Sequence, residues 1–214
     1  MGFFDDIVQK EKAEADYQKK FESLKSAERA FNKELISLRD KYYKSPQYKN
    51  KEKEMTENLI TGFNKFFESK GFKIKVEQHF NFKEIKAEAG NFEAILNVNA
   101  ESNDIDITFR GICRYSVIIQ EPNENEVEVR YMGKMNEDGT ITYYGGNSAK
   151  DTVEFVEKQI ENLRYDIENM KAKVNDLENL KLIYKLYDIN GEFYNTDDLF
   201  KFIESDIERI YKNR

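Results

Sequence analysis

The first seventy residues carry apolar side chains three or four positions apart, which is the spacing of helices with one buried stripe. From Tyr17 to Tyr42 the stripe follows a heptad pattern, interrupted at one position by Glu28. Ser45 and Pro46 then predict the start of a second helix, because serine is a good N-cap and proline fits the first helical position. The break at Pro46 is either a kink in one long arm or a turn between two helices.

Gly71 predicts the end of the second helix, and from residue 72 to residue 146 apolar and polar side chains alternate. The apolar members of these runs are Ile74, Val76, Phe80 and Phe82; Phe92, Ala94, Leu96 and Val98; Ile105, Ile107 and Phe109; and Val127, Val129 and Tyr131. Alternation with a period of two is typical of half-buried strands, and short connections between runs require antiparallel neighbours. We therefore predict a meander of about five strands with one apolar face that needs a cover.

The last third returns to helical spacing, with steps of three and four residues that continue without a break. The seam consists of Val153, Val156, Ile160, Leu163, Ile167, Met170, Val174 and Leu177. The seam has β-branched residues at heptad position a and mostly Leu-like residues at position d. This combination favours a pair of parallel helices. Ser148 and Asp151 resemble a capping box, so we predict a helix from 148 to about 187, followed by a short last helix capped by Thr196.

Together these patterns predict an α+β protein in which long heptad-patterned helices bracket a central antiparallel meander. The predicted parts are an N-terminal helical arm over residues 1–71, a β-sheet region over 72–146, and a long coiled-coil-like helix plus the short C-terminal helix over 147–214. Charged residues make up 35% of the chain and apolar residues 39%. That balance fits long, two-faced helices better than a thick globular core.

The distribution of charge bears on which helices pair and on which partners are excluded. The net charge is +4 over residues 1–83, −7 over 84–146 and −4 over 147–214, and −7 for the whole chain. Opposite signs at the two ends favour pairing of the N-terminal and C-terminal helices within one chain, with pairing between chains as the alternative. The acidic middle repels nucleic acid and attracts a basic partner.

The clearest candidate for a binding surface is an acidic cluster near the hairpin that the turn at Asp138 predicts. Its members are Glu124, Glu126, Glu128, Glu137 and Asp138. The cluster is either a solvated acidic face or a binding surface for a basic partner, and both interpretations are favoured over a Mg²⁺ or Ca²⁺ site; we predict no catalytic residue and no cofactor. His79 and Cys113 are the only histidine and cysteine in the chain; we interpret His79 as a surface residue and Cys113 as a small core residue.

These observations favour a non-enzymatic scaffold or interaction protein that binds another protein, or copies of itself, through its helical seams and acidic β region. One alternative is an acidic inhibitor or decoy, encoded by a mobile element, that occupies a basic site on a host enzyme. A second alternative is a metal-dependent nuclease or phosphatase that uses the hairpin carboxylates. The chain has no apolar run of signal-peptide or membrane-span length, so we expect a cytoplasmic protein without membrane contact.

Overall fold

The computed structural model describes residues 3–99, 104–122, 134–135, 141–142, 152–187, 189 and 191–212. The chain forms two compact units, Met1–Tyr48 with Asn125–Asn179, and Lys49–Glu124 with Leu180–Arg214. The described ranges contain four α-helices: α1, Phe3–Tyr43; α2, Pro46–Ser69; α3, Val153–Asn175; and α4, Thr196–Lys212. Together with a seven-stranded antiparallel sheet, they confirm the predicted α+β class.

Helices α1 and α3 lie side by side in the first unit and run in the same direction. Lys20 pairs with Glu157 at 2.8 Å, and further along both helices Glu34 pairs with Lys171 at 2.6 Å. Because the contacts advance along both helices together, the pair is parallel. The heptad pattern of α3 therefore has a packing partner within its own chain. On α3, Val153, Val156, Ile160, Ile167 and Met170 are buried, and Leu163 and Val174 are half-buried.

Helix α3 is shorter than the sequence pattern predicted. It begins after Thr152, whose side chain accepts a hydrogen bond from the backbone N–H of Phe155 at 3.2 Å. Ser148 and Asp151 lie outside the described residues. The helix ends at Asn175, and Leu177 is half-buried in a short 3-10 helix, Leu177–Asn179. The predicted extension to residue 187 is wrong because strand β8, Ile183–Leu186, pairs with the sheet and buries its side chains there instead.

The sheet of the second unit is an antiparallel meander extended by two late strands. Its order is β1 (Lys73–Gln78), β2 (Phe82–Ala89), β3 (Phe92–Asn99), β4 (Ile105–Phe109), β5 (Cys113–Gln120), β8 and β9 (Glu192–Phe193). A separate antiparallel pair joins β6, Lys134–Met135, to β7, Ile141–Thr142. The predicted run from Ile74 to Phe82 is two strands, because the chain turns at residues 79–81 and leaves Phe80 fully exposed.

Helices α2 and α4 cover one face of this sheet, and their apolar stripes form its core. The Phe63 ring of α2 lies 6.0 Å from the Phe200 ring of α4. The Tyr184 hydroxyl of β8 donates a hydrogen bond of 2.7 Å to the Met55 carbonyl, which ties the sheet to α2. At the end of α2, Gly71 has a φ of 82°, as expected for a left-handed residue after a helix.

The start of α4 differs by one residue from the prediction. Asn195 Oδ1 accepts a hydrogen bond from the backbone N–H of Asp198 at 2.8 Å, so Asn195 is the N-cap and Thr196 is the first helical residue. Within the described part of the chain, no helix combines the length and the apolar character that crossing a bilayer requires.

Candidate functional site

The face of the sheet opposite α2 and α4 carries polar side chains along a line that crosses several strands. Glu84 on β2 lies directly opposite Asn97 on β3, which lies opposite Asp106 on β4. All three are half-buried. With Phe82, Asn99 and Asp104 they line an open hollow of about 410 Å³. Among the described residues, acidic side chains therefore converge on this face of the sheet.

The carboxylates of the hollow already have cationic or hydroxyl neighbours. Asp106 accepts hydrogen bonds from Arg114 at 2.5 Å and from Ser116 at 2.7 Å. Burial raises the pKa of the Asp106 carboxyl, but these two bonds outweigh it and the pKa is lowered overall. Glu84 pairs with Lys86 at 2.7 Å. By contrast, Asn97 Oδ1 is buried and accepts no hydrogen bond from any described residue.

A second group of polar side chains adjoins the hollow at the β1–β2 hairpin. Glu77 lies directly opposite Glu84 in the strand register, and His79 is the first residue after β1. One ligand-type atom from each of these three side chains lies within 4.8 Å of the others. The His79 ring stacks on Phe82 with 4.2 Å between ring centroids. We call Glu77, His79 and Glu84 the hairpin cluster.

Strand β1 is the edge strand of the sheet, and β2 is its only neighbour among the described strands. Five of its six residues are exposed, and Ile74 is half-buried. Val76 is 54% exposed although it lies on the apolar side of the sheet. This edge thus combines unpaired backbone positions with exposed apolar surface, a combination that natural sheets usually avoid.

The structure does not test the acidic binding surface that was predicted from the sequence. Glu124, Glu126, Glu128, Glu137 and Asp138 all fall outside the described residues. The α3 seam packs within the chain, as described above. Cys113 begins β5 and is half-buried.

The hollow and the hairpin cluster were not predicted from the sequence, although parts of each were visible in it. Asp104 with Asp106, and Glu84 with Lys86, are spaced so that each pair shares one side of a strand. The spacing does not reveal the register of the strands, which places Glu84 of β2 opposite Glu77 of β1 and opposite Asn97 of β3.

No protein-family model, curated protein or solved structure matches this chain.

Proposed function

We propose that this chain is a non-enzymatic interaction protein that binds a second copy of itself through the exposed edge of strand β1. The observation that carries the proposal is that no described strand pairs with the outer edge of β1, since a row of unpaired backbone groups is a template for another strand. The helical seam is less suited to this role because α1 already packs on α3 within the chain.

The backbone groups that are available for pairing can be assigned from the hairpin. The His79 N–H donates to the Phe82 carbonyl at 2.9 Å, so residues 79 and 82 form a hydrogen-bonded pair. Such pairs alternate along an antiparallel ladder, and β1 residues 73, 75 and 77 therefore bond to β2. The N–H and C=O groups of Ile74, Val76 and Gln78 point away from β2, toward the open edge.

Charge complementarity supports a second copy as the partner. In an antiparallel pairing centred on Val76, each Val76 lies opposite its equivalent, and Lys75 lies opposite Glu77 of the second copy. No like charges are then directly opposed. Lysines on edge strands usually discourage pairing, but in this register Lys75 faces a carboxylate instead of another lysine. The contact is small, so we expect a weak, concentration-dependent dimer.

Light scattering over a concentration series tests the proposal on the full chain. We expect the wild-type mass to rise toward twice the monomer mass, and Val76→Pro to remain monomeric because proline removes an outward N–H without removing a bond to β2. Val76→Thr keeps both the N–H and the β-branched shape and is the matched control, which should still dimerise. A monomeric wild type at every concentration, or dimerisation of Val76→Pro with an unchanged circular dichroism spectrum, would overturn the proposal.

We also propose that the protein acts in the cytoplasm. The support is cysteine usage: a single cysteine, Cys113, makes no intrachain disulfide and is compatible with a reducing compartment. Fractionation of cells that express a tagged chain tests this location, and recovery outside the cytoplasmic fraction would contradict it.

A further inference from the structure

We propose that the hairpin cluster, Glu77, His79 and Glu84, is a binding site for a zinc ion. The three side chains supply one imidazole nitrogen and two carboxylates, and their ligand-type atoms lie within 4.8 Å of one another. Three protein ligands with a water in the fourth position is a common zinc arrangement. This site shares Glu77 with the charge pairing of the proposed dimer, but it uses none of the outward backbone groups of β1.

The separation of two of the candidate ligand atoms is close to what a metal ion requires. His79 Nε2 and Glu77 Oε2 are 3.8 Å apart. Zinc bonds of roughly 2.0–2.1 Å at tetrahedral angles place two ligand atoms about 3.4 Å apart. The ligand-type atoms of all three side chains lie within 4.8 Å of one another, so side-chain rotation has to bring them closer around an ion. Glu77 and Glu84 face each other in the strand register, so the backbone already sets the spacing of the two carboxylates.

The orientation of the imidazole is partly fixed before any ion binds. The His79 ring stacks on the Phe82 ring with an interplanar angle of 19°. Phe82 is the first residue of β2 and is 37% exposed. Its ring covers one face of the His79 imidazole. A ligand that is held in place loses less side-chain entropy on binding, and this favours affinity.

In this structure the two carboxylates of the hairpin cluster converge on the ammonium of Lys86. Its ammonium lies 2.7 Å from Glu84 and 3.2 Å from Glu77, so both carboxylates converge on one positive charge. Lysine has a long, flexible stem and can leave the carboxylates. A metal ion would take the place of the ammonium, so Lys86 should compete with it.

The ligand set determines which ion fits. Calcium takes six to eight oxygen ligands, and magnesium prefers oxygen and keeps several waters. An imidazole with two carboxylates suits zinc and neighbouring transition metals, and zinc tolerates a low coordination number without a strict geometric preference. Zinc is therefore the expected ligand, and calcium is the discriminating negative probe.

Isothermal titration of the full chain with Zn²⁺ tests the site. We expect one ion per chain and no comparable heat with Ca²⁺. His79→Ala and Glu84→Gln should each weaken zinc binding roughly tenfold or more, as expected when the ligand shell loses a member. Lys86→Met should bind zinc more tightly than wild type because the competing ammonium is gone. Glu88→Gln is the matched control: Glu88 lies on the same side of β2, pairs with Lys75 at 2.6 Å, and should leave zinc affinity unchanged.

Several results would overturn the site. They are the absence of stoichiometric zinc binding, a His79→Ala affinity equal to wild type in a variant with an unchanged circular dichroism spectrum, or a Lys86→Met affinity no higher than wild type. Co²⁺ provides a second readout, since a tetrahedral site that includes His79 gives intense visible absorption that His79→Ala should abolish. Val76→Pro should bind zinc like wild type, so failure of the dimer and failure of the zinc site can be told apart.

Discussion

Tyr115 and Asp206 connect the sheet to its covering helix through one hydrogen bond. The Tyr115 hydroxyl on β5 donates to Asp206 on α4 at 2.8 Å, and Arg209 donates to the same carboxylate at 2.5 Å. The Asp206 side chain is only 11% exposed. Burial raises its pKa, but the bonds from Tyr115 and Arg209 outweigh that effect, so the pKa lies below its ordinary value of 3.8. The ionised form therefore stabilises the fold.

We predict that Tyr115→Phe destabilises the protein by about 1 kcal/mol at neutral pH, the net value of one such hydrogen bond. A carboxyl whose pKa is lowered by folding contributes stability above its unfolded pKa and loses it as the pH falls through the folded value. The difference between variant and wild type should thus shrink below about pH 3.8. Urea unfolding at neutral pH and below about pH 3.8 measures this difference in stability. Tyr211→Phe, on the exposed side of α4, should match wild type at both, and a pH-independent Tyr115→Phe effect would refute the assignment.

Gly62 of α2 lies against Thr196, the first residue of α4. A Cβ atom placed at Gly62 would lie 2.6 Å from both Cβ and Oγ1 of Thr196. Thr196 is β-branched and is the first residue of α4, so its side chain cannot move aside freely. The glycine is therefore retained inside a helix, where alanine is intrinsically about 1 kcal/mol more favourable.

We predict that Gly62→Ala destabilises the second unit by about 1–3 kcal/mol, because the overlap with Thr196 outweighs the gain in helix propensity. Adding Thr196→Gly should recover part of the loss by removing the atoms that clash. Chemical denaturation of the wild type, both single variants and the double variant gives the coupling energy. Gly62→Ala at wild-type stability or above, or purely additive effects, would show that the helices do not meet there.

At the scale of elements, the parallel pair of α1 and α3 depends on side chains that the heptad pattern places between them. Ile167 is buried on α3, whereas Tyr165, two residues earlier, is 66% exposed. We predict that Ile167→Ala costs about 2–5 kcal/mol and Tyr165→Ala less than about 0.5 kcal/mol. Thermal unfolding followed by circular dichroism compares the two. Because the pairing is within the chain, neither variant should change the mass measured by light scattering, and a loss of mass in Ile167→Ala would contradict an intrachain pair.

The elements that could be predicted from sequence are those whose burial repeats with a regular period. The alternation at Ala94, Leu96 and Val98 identified β3, and its three residues are buried as the period of two requires. The prediction from apolar spacing failed where the same spacing fits both a helix and a strand. Leu186 follows Leu182 and Ile183 by four and three residues, which is also a helical spacing, but Ile183 and Leu186 belong to β8, and its pairing with the distant strand β5 is not revealed by the local sequence.

The hairpin cluster could not be predicted from the sequence for a similar reason. The sequence displays His79 as an isolated histidine on a polar strand face, and Glu84 belongs to an apparently separate run. A turn at residues 79–81 brings them together, yet Phe80 and Phe82 continue the alternating pattern and conceal that turn. Turn chemistry without glycine or proline gives a weak signal, so the cluster could only be recognised from the register of β1 and β2.

At the scale of the whole molecule, each compact unit is assembled from two stretches that lie far apart in the chain. Glu124 ends the first stretch of the unit that contains the sheet, and Asn125 begins the second stretch of the unit that contains the paired helices. Every stretch on one side of this boundary therefore packs against a stretch on the other side. Neither half of the chain contains a complete hydrophobic core, since α1 lacks α3 and the sheet lacks β8 and α4.

We therefore predict that residues 1–124 and 125–214 do not fold when expressed separately and that they recover native structure when mixed. In the isolated first fragment, Leu59, Phe63 and the core face of β5 lose contacts supplied by β8 and α4, and burial of several such side chains decides whether a small unit is stable. Circular dichroism should show that the mixture is more helical than the sum of the fragments, with one cooperative melt per restored unit. A matched mixture that carries Ile203→Asp in the second fragment should fail to restore the sheet unit, because Ile203 is buried on α4. Cooperative unfolding of residues 1–124 alone would mean that the sheet and α2 suffice without the later stretch, and the interleaved assembly would then be incorrect.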